Sequence, residues 1–438
     1  MSVWASPDRL KATWDWRPGC ILLGRSGNRL LGPDDDRHVV TIAGNGSGKT
    51  STVLMHNLAR YPGSVIVTDP KGELARATYK ARLALGQSVY VLDPFDETGL
   101  PKASYNPFSE LGFGKRALVP ADAALLADAL IIPSEREPHW TDSARNLIRG
   151  IILHLITVEP QTATLRRVRS LLHGTPAELD ELAAAMADST AFDGVVSNEG
   201  RSFLGRLESG SKEISGILST AQSQTAPLDD VMSALERSDF RLADLRDGKT
   251  TIYIVLPAMR MSTHFRFMRL IVQQALAAME RHAVPRGGKR VLFMLEEFAS
   301  LGAMKQIETA AGLFRGYGTQ LWTVLQDLTQ LKNHYPKSWE TFIANAYALQ
   351  AFGNADLTTT EYLSKRLGTI QMMERQDVWV SSAAMGQGDL GMREHPRTVN
   401  LLDPPEIATH FSRETGRQLI LMPGRPPIYM ERMPHYGA

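Results

Sequence analysis

The segment Ala43-Gly44-Asn45-Gly46-Ser47-Gly48-Lys49-Thr50 constrains the fold more than any other part of the chain. Alternating glycines let the backbone turn tightly and point its N–H groups inward. Lys49 and Thr50 open a helical pattern, Val53-Leu54-Met55 to Leu58, whose N-terminal end adds positive potential. Ahead of the loop, Val39-Val40-Thr41-Ile42 reads as a strand buried on both faces. Strand, glycine-rich turn and helix in that order form a phosphate loop, which predicts an α/β fold with a mainly parallel central sheet. Gly44, Asn45, Gly46, Ser47 and Gly48 are expected to hold the β-phosphate of ATP. Lys49 would reach the β and γ oxygens, and the Thr50 hydroxyl would be a ligand to Mg2+. Ala43 stands where glycine is usual, at a position that need not approach the phosphate closely.

A phosphate loop needs an acidic partner at the end of a neighbouring strand. Val291-Leu292-Phe293-Met294-Leu295 followed by Glu296-Glu297 supplies one. Glu296 is expected to contact the metal ion, generally through water, and Glu297 to serve as general base or to position the attacking water. A glutamate pair can also simply cap a strand, and only the phosphate loop favours chemistry here. Gln326 ends the next strand-like run, Leu321 to Leu325, and should sit at the same carboxyl edge of the sheet, able to sense the γ-phosphate or orient water. Arg315, in Phe314-Arg315-Gly316-Tyr317-Gly318, is either a plain surface arginine or one that projects into a neighbouring subunit's site.

From Val39 to Pro107, short β-rich runs alternate with helical stretches; Val65 to Thr68 and Val89 to Leu92 are the second and third strands. Between Arg116 and Arg237 no such run occurs. Leu147, Ile148, Ile151, Ile152 and Leu155 share a helical face, and Thr175-Pro176-Ala177-Glu178 is a capping box. Strand-like runs resume at Thr250 to Leu256 and end with Gln418 to Met422. The expectation is therefore a discontinuous nucleotide-binding domain, residues 1–115 and 238–438, with an all-helical insert at 116–237. Ser381 to Pro396, rich in glycine, serine and methionine, reads as a mobile surface loop.

These segments together resemble the coupling-protein ATPases of conjugation and type IV secretion, within the ring-forming RecA-like DNA translocases. The resemblance rests on the phosphate loop, Asp69-Pro70-Lys71-Gly72-Glu73-Leu74, Leu92-Asp93-Pro94-Phe95 and Tyr105-Asn106-Pro107-Phe108. It continues through Trp140 with Ala144-Arg145, Glu296-Glu297-Phe298-Ala299-Ser300-Leu301-Gly302, Gln326, and Leu402 with Pro404-Pro405-Glu406-Ile407. It implies a RecA-like domain that forms a hexamer with ATP sites between subunits, and Arg315 as the arginine acting in trans. It further implies passage of DNA, in the single-stranded form, with an attached relaxase or protein effector, to secretion-channel components at the cytoplasmic face of the bacterial inner membrane. Asp69, Lys71 and Glu73 are either strand-end turn chemistry or, from their place at the carboxyl edge of the sheet, part of the active site or a subunit contact.

Two departures stand out. The family usually has aspartate where this chain has Glu296, and the longer side chain could slow hydrolysis. Its members usually begin with membrane-spanning helices, whereas no run of about 18 apolar residues occurs here, so the expected chain is soluble, either a fragment without its anchor or a soluble relative. One cysteine, Cys20, fits a reducing compartment and a place in the core. A net charge of +1 neither requires nor excludes DNA. Local clusters, Arg166, Arg167 and Arg169 or Arg260, Arg266 and Arg269, could meet phosphates or be solvated helix faces. Two other readings stay open: a soluble double-stranded DNA translocase of packaging, repair or defence, and a nucleotide-gated docking platform that hydrolyses little.

Overall fold

The computed structural model describes residues 4–5, 10, 13–134, 136–209, 212–282, 288–377 and 392–437. Its thirteen strands are β1 (Gly24–Ser26), β2 (Arg29–Leu31), β3 (His38–Ala43), β4 (Val65–Asp69), β5 (Ser88–Leu92), β6 (Thr250–Val255), β7 (Val291–Leu295), β8 (Thr319–Leu325), β9 (Ala346–Phe352), β10 (Thr369–Asp377), β11 (Met392–Asn400), β12 (Arg417–Leu421) and β13 (Ile428–Glu431). Eleven of them form one sheet in the order β2-β1-β13-β12-β9-β3-β8-β7-β4-β6-β5. From β9 to β5 every pairing is parallel, whereas β12, β13, β1 and β2 add on as antiparallel strands. The central strands are buried along their whole length, which is why they read as unbroken apolar runs.

A polar ladder crosses the middle of this sheet. Trp322 Nε1 donates to Thr41 Oγ1 at 2.8 Å, and Thr41 Oγ1 donates to Gln350 Oε1 at 2.8 Å. Gln350 Nε2 donates to Gln418 Oε1, and Gln418 Nε2 to the Leu23 carbonyl at 2.6 Å. Thr41, Gln350 and Gln418 are fully buried. A slipped strand would leave one of these groups unpaired, at a penalty of roughly 1–3 kcal/mol, so the ladder fixes which strands flank β3 and in what register.

Between β5 and β6 the described residues contain no strand. They form helices at Val119–Leu130, Pro138–Val158, Leu165–Leu172, Pro176–Ala187, Val195–Glu208 and Lys212–Thr225, followed by 3-10 turns. The capping box at Thr175 is present, with Glu178 Oε2 accepting from the Thr175 N–H at 2.7 Å. The Val119–Leu130 helix joins this group to the sheet by packing on both Pro138–Val158 and Met261–Arg281. Asp122 reinforces the joint: it accepts from the Gly112 N–H and pairs with Arg281. Gln224 clips the backbone of Ile132 through both its amide oxygen and its nitrogen. Cys20 is buried.

One expectation requires correction. The stretch read as a mobile loop, Ser381 to Pro396, lies outside the described residues through 391, but Met392 to Pro396 belong to β11, which pairs antiparallel with β10 from Asp377↔Met392 to Thr369↔Asn400. Proline at 396 is tolerated because a two-stranded ribbon has a free edge on each strand.

Candidate nucleotide site

The glycine loop leaves the carboxyl end of β3 and enters a helix whose first turns, Thr50–Leu54, are π-helical and which continues as Met55–Leu58. Gly46 and Gly48 adopt φ of 67° and 89°, the left-handed region that glycine reaches without strain. Gly44 is needed for a different reason. A Cβ there would lie 2.1 Å from the Gly353 carbonyl, on the turn after β9, and a Cβ on Gly353 would lie 2.4 Å from Ser47 Cβ. The loop thus rests against a second glycine turn that strand periodicity did not reveal. Asn354, next in that turn, donates to the Gln326 carbonyl at 3.2 Å.

Asn45, Gly46, Gly48, Lys49, Thr50, Glu296, Glu297 and Gln326 line one cavity of about 510 Å³, together with Ser51, Met55, Pro70, Lys71, Glu73, Ala258, Met261, Arg413 and His435. Gly44 and Ser47 support the loop from beneath, and Ser47 is 3% exposed. β8 lies between β3 and β7, so the glutamate pair ends a strand two places from the loop rather than the adjacent one. Thr50 Oγ1 donates to Glu296 Oε1 at 2.8 Å, and Lys49 Nζ stands 3.3 Å from Glu297 Oε1. Gln326 Nε2 donates to both Glu297 oxygens, at 3.1 and 3.0 Å.

Glu297 has φ 50° and ψ 47°, a left-handed conformation for a residue with a side chain. Such a backbone costs about 1–2 kcal/mol, and here it aims the carboxylate at Lys49 and Gln326. Glu296 is held by its own backbone, whose carbonyl accepts from Thr68 Oγ1 at 2.8 Å. Burial, with Asp69 nearby as a second cause, pushes its carboxyl up to about 8. Burial likewise pushes Asp69 up to about 6, against the Ala75 N–H that Asp69 Oδ2 accepts at 2.8 Å. Asp69 Oδ1 is buried with no partner. A hydroxyl beside a buried carboxylate, next to that unpaired oxygen, is a donor set suited to Mg2+, which takes one or two protein oxygens and keeps its waters.

The backbone of Arg315 lies away from the strand ends that carry the loop and the glutamates. It is in the 3-10 turn Phe314–Tyr317, just before β8 begins, at the amino edge of a strand whose carboxyl end carries Gln326. The basic clusters are largely engaged within the chain. Arg167 pairs with Glu159 at 2.9 Å, Arg166 with Glu236 and Arg169 with Asp229. Arg269 donates to the Leu301 and Ala303 carbonyls, Arg266 to the Leu130 carbonyl, and Arg260 lies 4.5 Å over the Phe95 ring. Several motif residues also do local structural work: Asp93 accepts from Thr98 N and Oγ1, Asn106 bridges to the Ala163 carbonyl, and Asp403 with Glu406 caps the Pro404–His410 helix.

Sequence reasoning missed Arg413, Arg432 and His435, which reach the loop from the C-terminal segment. Arg432 donates to the Ser47 carbonyl, and His435 Nδ1 shares a 2.7 Å hydrogen bond with Ser51 Oγ. They follow no spacing rule, because only chain closure places them there.

Comparison with known proteins places the chain in a family. Protein VirD4 of Rhizobium radiobacter is 27% identical over 426 residues, 91% of this chain and 57% of that protein. Conjugal transfer protein TraG of Escherichia coli is 28% identical over 435 residues, 92% of this chain and 67% of that protein. The chain thus spans less than two thirds of the length of the VirD4 proteins it matches. The plasmid coupling protein TrwB, solved in complex with the non-hydrolysable ATP analogue ADPNP, superposes with a TM-score of 0.71 over 98% of this chain and 92% of that one, at 18% identity, a likeness of fold. TrwB in complex with ADP and Mg2+ has the same fold, with a TM-score of 0.69. Residues 9–438 match the family described as type IV secretory system conjugative DNA transfer, and the chain belongs to that family.

Proposed function

We propose that this chain is the motor portion of a coupling protein: it binds ATP with Mg2+ and uses hydrolysis to drive DNA, with an attached relaxase or protein effector, toward a type IV secretion channel. One observation carries the reading: the phosphate loop, Glu296, Glu297 and Gln326 line a single cavity in a chain of the conjugative DNA transfer family. Thr50 and Glu296 would hold Mg2+, which would supply electrostatic stabilisation of the charge that develops on the phosphates.

The chain's own groups account for the other steps. Lys49 exchanges its 3.3 Å contact with Glu297 for the phosphates, which frees the carboxylate to accept a proton from water. Gln326, already holding both oxygens of Glu297, keeps that carboxylate aimed and can donate to the water in turn. Thr50 and Glu296 hold the metal side of the site. Arg315, whose backbone lies at the opposite edge of the sheet, would serve a neighbouring subunit's nucleotide, so full activity would require assembly, in our reading a hexamer around single-stranded DNA. Its place in the cell would be the cytoplasmic face of the bacterial inner membrane; no described helix is long and apolar enough to cross a membrane. The helical segment at 116–237 would be the part that engages cargo.

Hydrolysis should be measured with and without single- and double-stranded DNA over a range of protein concentrations. Stimulation by DNA that grows with self-association is the expected result. No turnover in any condition, with Glu297→Gln indistinguishable from the parent chain, would sink the motor reading.

A further inference from the structure

β8 pairs with β3 only as far as Ile42↔Leu325. Gln326 is the next residue, so its backbone N–H and C=O lie beyond the ladder. Its side chain nevertheless grips Glu297, donating to both carboxylate oxygens at 3.1 and 3.0 Å. Glu297 has a left-handed backbone, φ 50°, and such a conformation persists only where its surroundings fix it. A side chain can fix another only if its own backbone is held. Two residues that do not line the cavity, Gln330 and Asn354, hold it.

Gln330 takes the N–H. Asp327-Leu328-Thr329-Gln330 opens the Leu328–His334 helix with the spacing of a capping box, and Asp327 Oδ1 accepts from the Gln330 N–H at 2.9 Å. In a capping box the glutamine side chain returns to the N–H of the cap residue. Gln330 reaches one residue further back, and its Oε1 accepts from the Gln326 N–H at 2.9 Å. Asn354 takes the carbonyl: its Nδ2 donates to Gln326 O at 3.2 Å. Asn354 is 4% exposed, and its Oδ1 is buried with no partner. A buried amide with half its bonding unmet is less stable there than an apolar side chain of similar size, and the group it serves is the Gln326 carbonyl. The turn that carries Asn354 is itself fixed, since the Gly353 N–H donates to the Phe411 carbonyl at 2.7 Å.

Resting on the reading of Glu297 and Gln326 given above, we propose that Gln330 and Asn354 are positioning residues for hydrolysis. They pin the Gln326 backbone from both sides, so that its amide keeps Glu297 aimed at the attacking water. Asn354 does this from the same turn on which the phosphate loop rests, through the close approach of Gly353 to Gly44 and Ser47. One short turn therefore sets both the loop that holds the phosphates and the carboxylate that meets the water.

The test is steady-state ATP hydrolysis by the full chain with single-stranded DNA, alongside ADP binding and thermal unfolding of each variant. Gln330→Met keeps the length of the side chain and loses the acceptor, whereas Gln330→Glu keeps an acceptor oxygen. Gln330→Met and Asn354→Ala should each lower kcat about 10- to 100-fold, the scale of a misaimed catalytic group, with KM and ADP affinity within about 3-fold of the parent. Gln330→Glu should keep kcat within about 3-fold. Added to Gln326→Ala, neither Gln330→Met nor Asn354→Ala should lower kcat further, because no aimed amide is left to lose. Should Asn354→Ala fail to fold, the two changes at the half-buried Gln330 decide the matter. Parent kcat in Gln330→Met, equal loss in Gln330→Met and Gln330→Glu, or an undiminished loss in the Gln326→Ala background would each overturn the inference, while an impaired Gln326→Ala chain would leave the reading of the site standing. If Gln326→Ala hydrolyses at the parent rate, that reading falls and takes the inference with it.

Discussion

Glu296 and Glu297 are adjacent in sequence yet do different work because the backbone between them changes hand. Glu296 follows directly on β7 and is buried; Glu297 turns left-handed and points into the cavity. Replacing Glu297 by Gln keeps the shape and removes the base. Phosphate release should fall about 10²- to 10⁴-fold while nucleotide binding persists, and a variant that hydrolyses at the parent rate would refute the assignment. Glu296 carries a pH signature. Its carboxyl, raised from 4.5 to about 8, holds its proton more tightly folded than unfolded, so stability is fullest below about 4.5 and declines as pH rises toward 8. Glu296→Gln does not titrate, and Gln Oε1 can still accept from Thr50. Its stability relative to the parent should therefore increase between pH 5 and pH 8, by something on the order of 2 kcal/mol. Denaturant titrations at both pH values would check this, and an equal difference at both would refute it. Sequence pattern alone placed the loop and the glutamate pair, since a run of apolar residues ending in two carboxylates, in a chain that also carries a phosphate loop, has its most natural use in holding metal and water there. The left-handed turn at Glu297 has no local signature and emerges only in the folded chain.

At the scale of elements, the phosphate loop is held by another turn. Gly44→Ala would push a methyl group into the Gly353 carbonyl, 2.1 Å away. The loop must move, and we expect a loss of about 1–3 kcal/mol together with weaker nucleotide binding, seen by thermal unfolding with and without ADP. Gly205→Ala is the control. That glycine lies in the Val195–Glu208 helix, and a methyl group added there would meet nothing within 4 Å, so the change should be neutral or stabilising by about 0.5–1 kcal/mol. The parallel strands β3, β4, β6, β7 and β8 were legible because burial on both faces favours near-continuous apolar and β-branched runs. β9 was not, although it lies directly beside β3: Ala346-Tyr347-Ala348-Leu349-Gln350-Ala351-Phe352 has alanines, which carry little strand preference, and a glutamine that only the polar ladder accounts for. β10 and β11 were lost for the opposite reason. Exposed on a two-stranded ribbon, they bury too little to show an apolar period.

For the whole molecule, the edge on which Arg315 lies decides how its role can be tested. An arginine that acts across subunits predicts complementation. Arg315→Ala and Lys49→Ala chains should each be inactive, and mixing them should restore part of the DNA-stimulated hydrolysis, because some interfaces then join an intact loop to an intact arginine. Recovery absent at concentrations where the parent chain is active would refute the trans assignment. The same scale explains why the arginine clusters mislead in sequence. Arg166, Arg167 and Arg169 look like a phosphate-binding face, but their carboxylate partners Glu236, Glu159 and Asp229 come from other turns of the helical segment and cancel much of the charge.

What the sequence determined by itself was chemistry tied to short-range geometry: a glycine loop between strand and helix, carboxylates ending an apolar run, a capping box. Each is complete within a short stretch of chain, so its energetics do not wait for the rest of the fold. What only the tertiary structure decided were relations between distant segments. The order of strands around β3 depends on a buried polar ladder contributed by β3, β8, β9 and β12. The close contact of Gly44 with Gly353, and the approach of Arg413, Arg432 and His435 to the loop, depend on segments more than 300 residues apart returning to one place. Such contacts leave no periodic trace, because they are chosen by packing and hydrogen-bond satisfaction at a meeting point that exists only after the chain has folded.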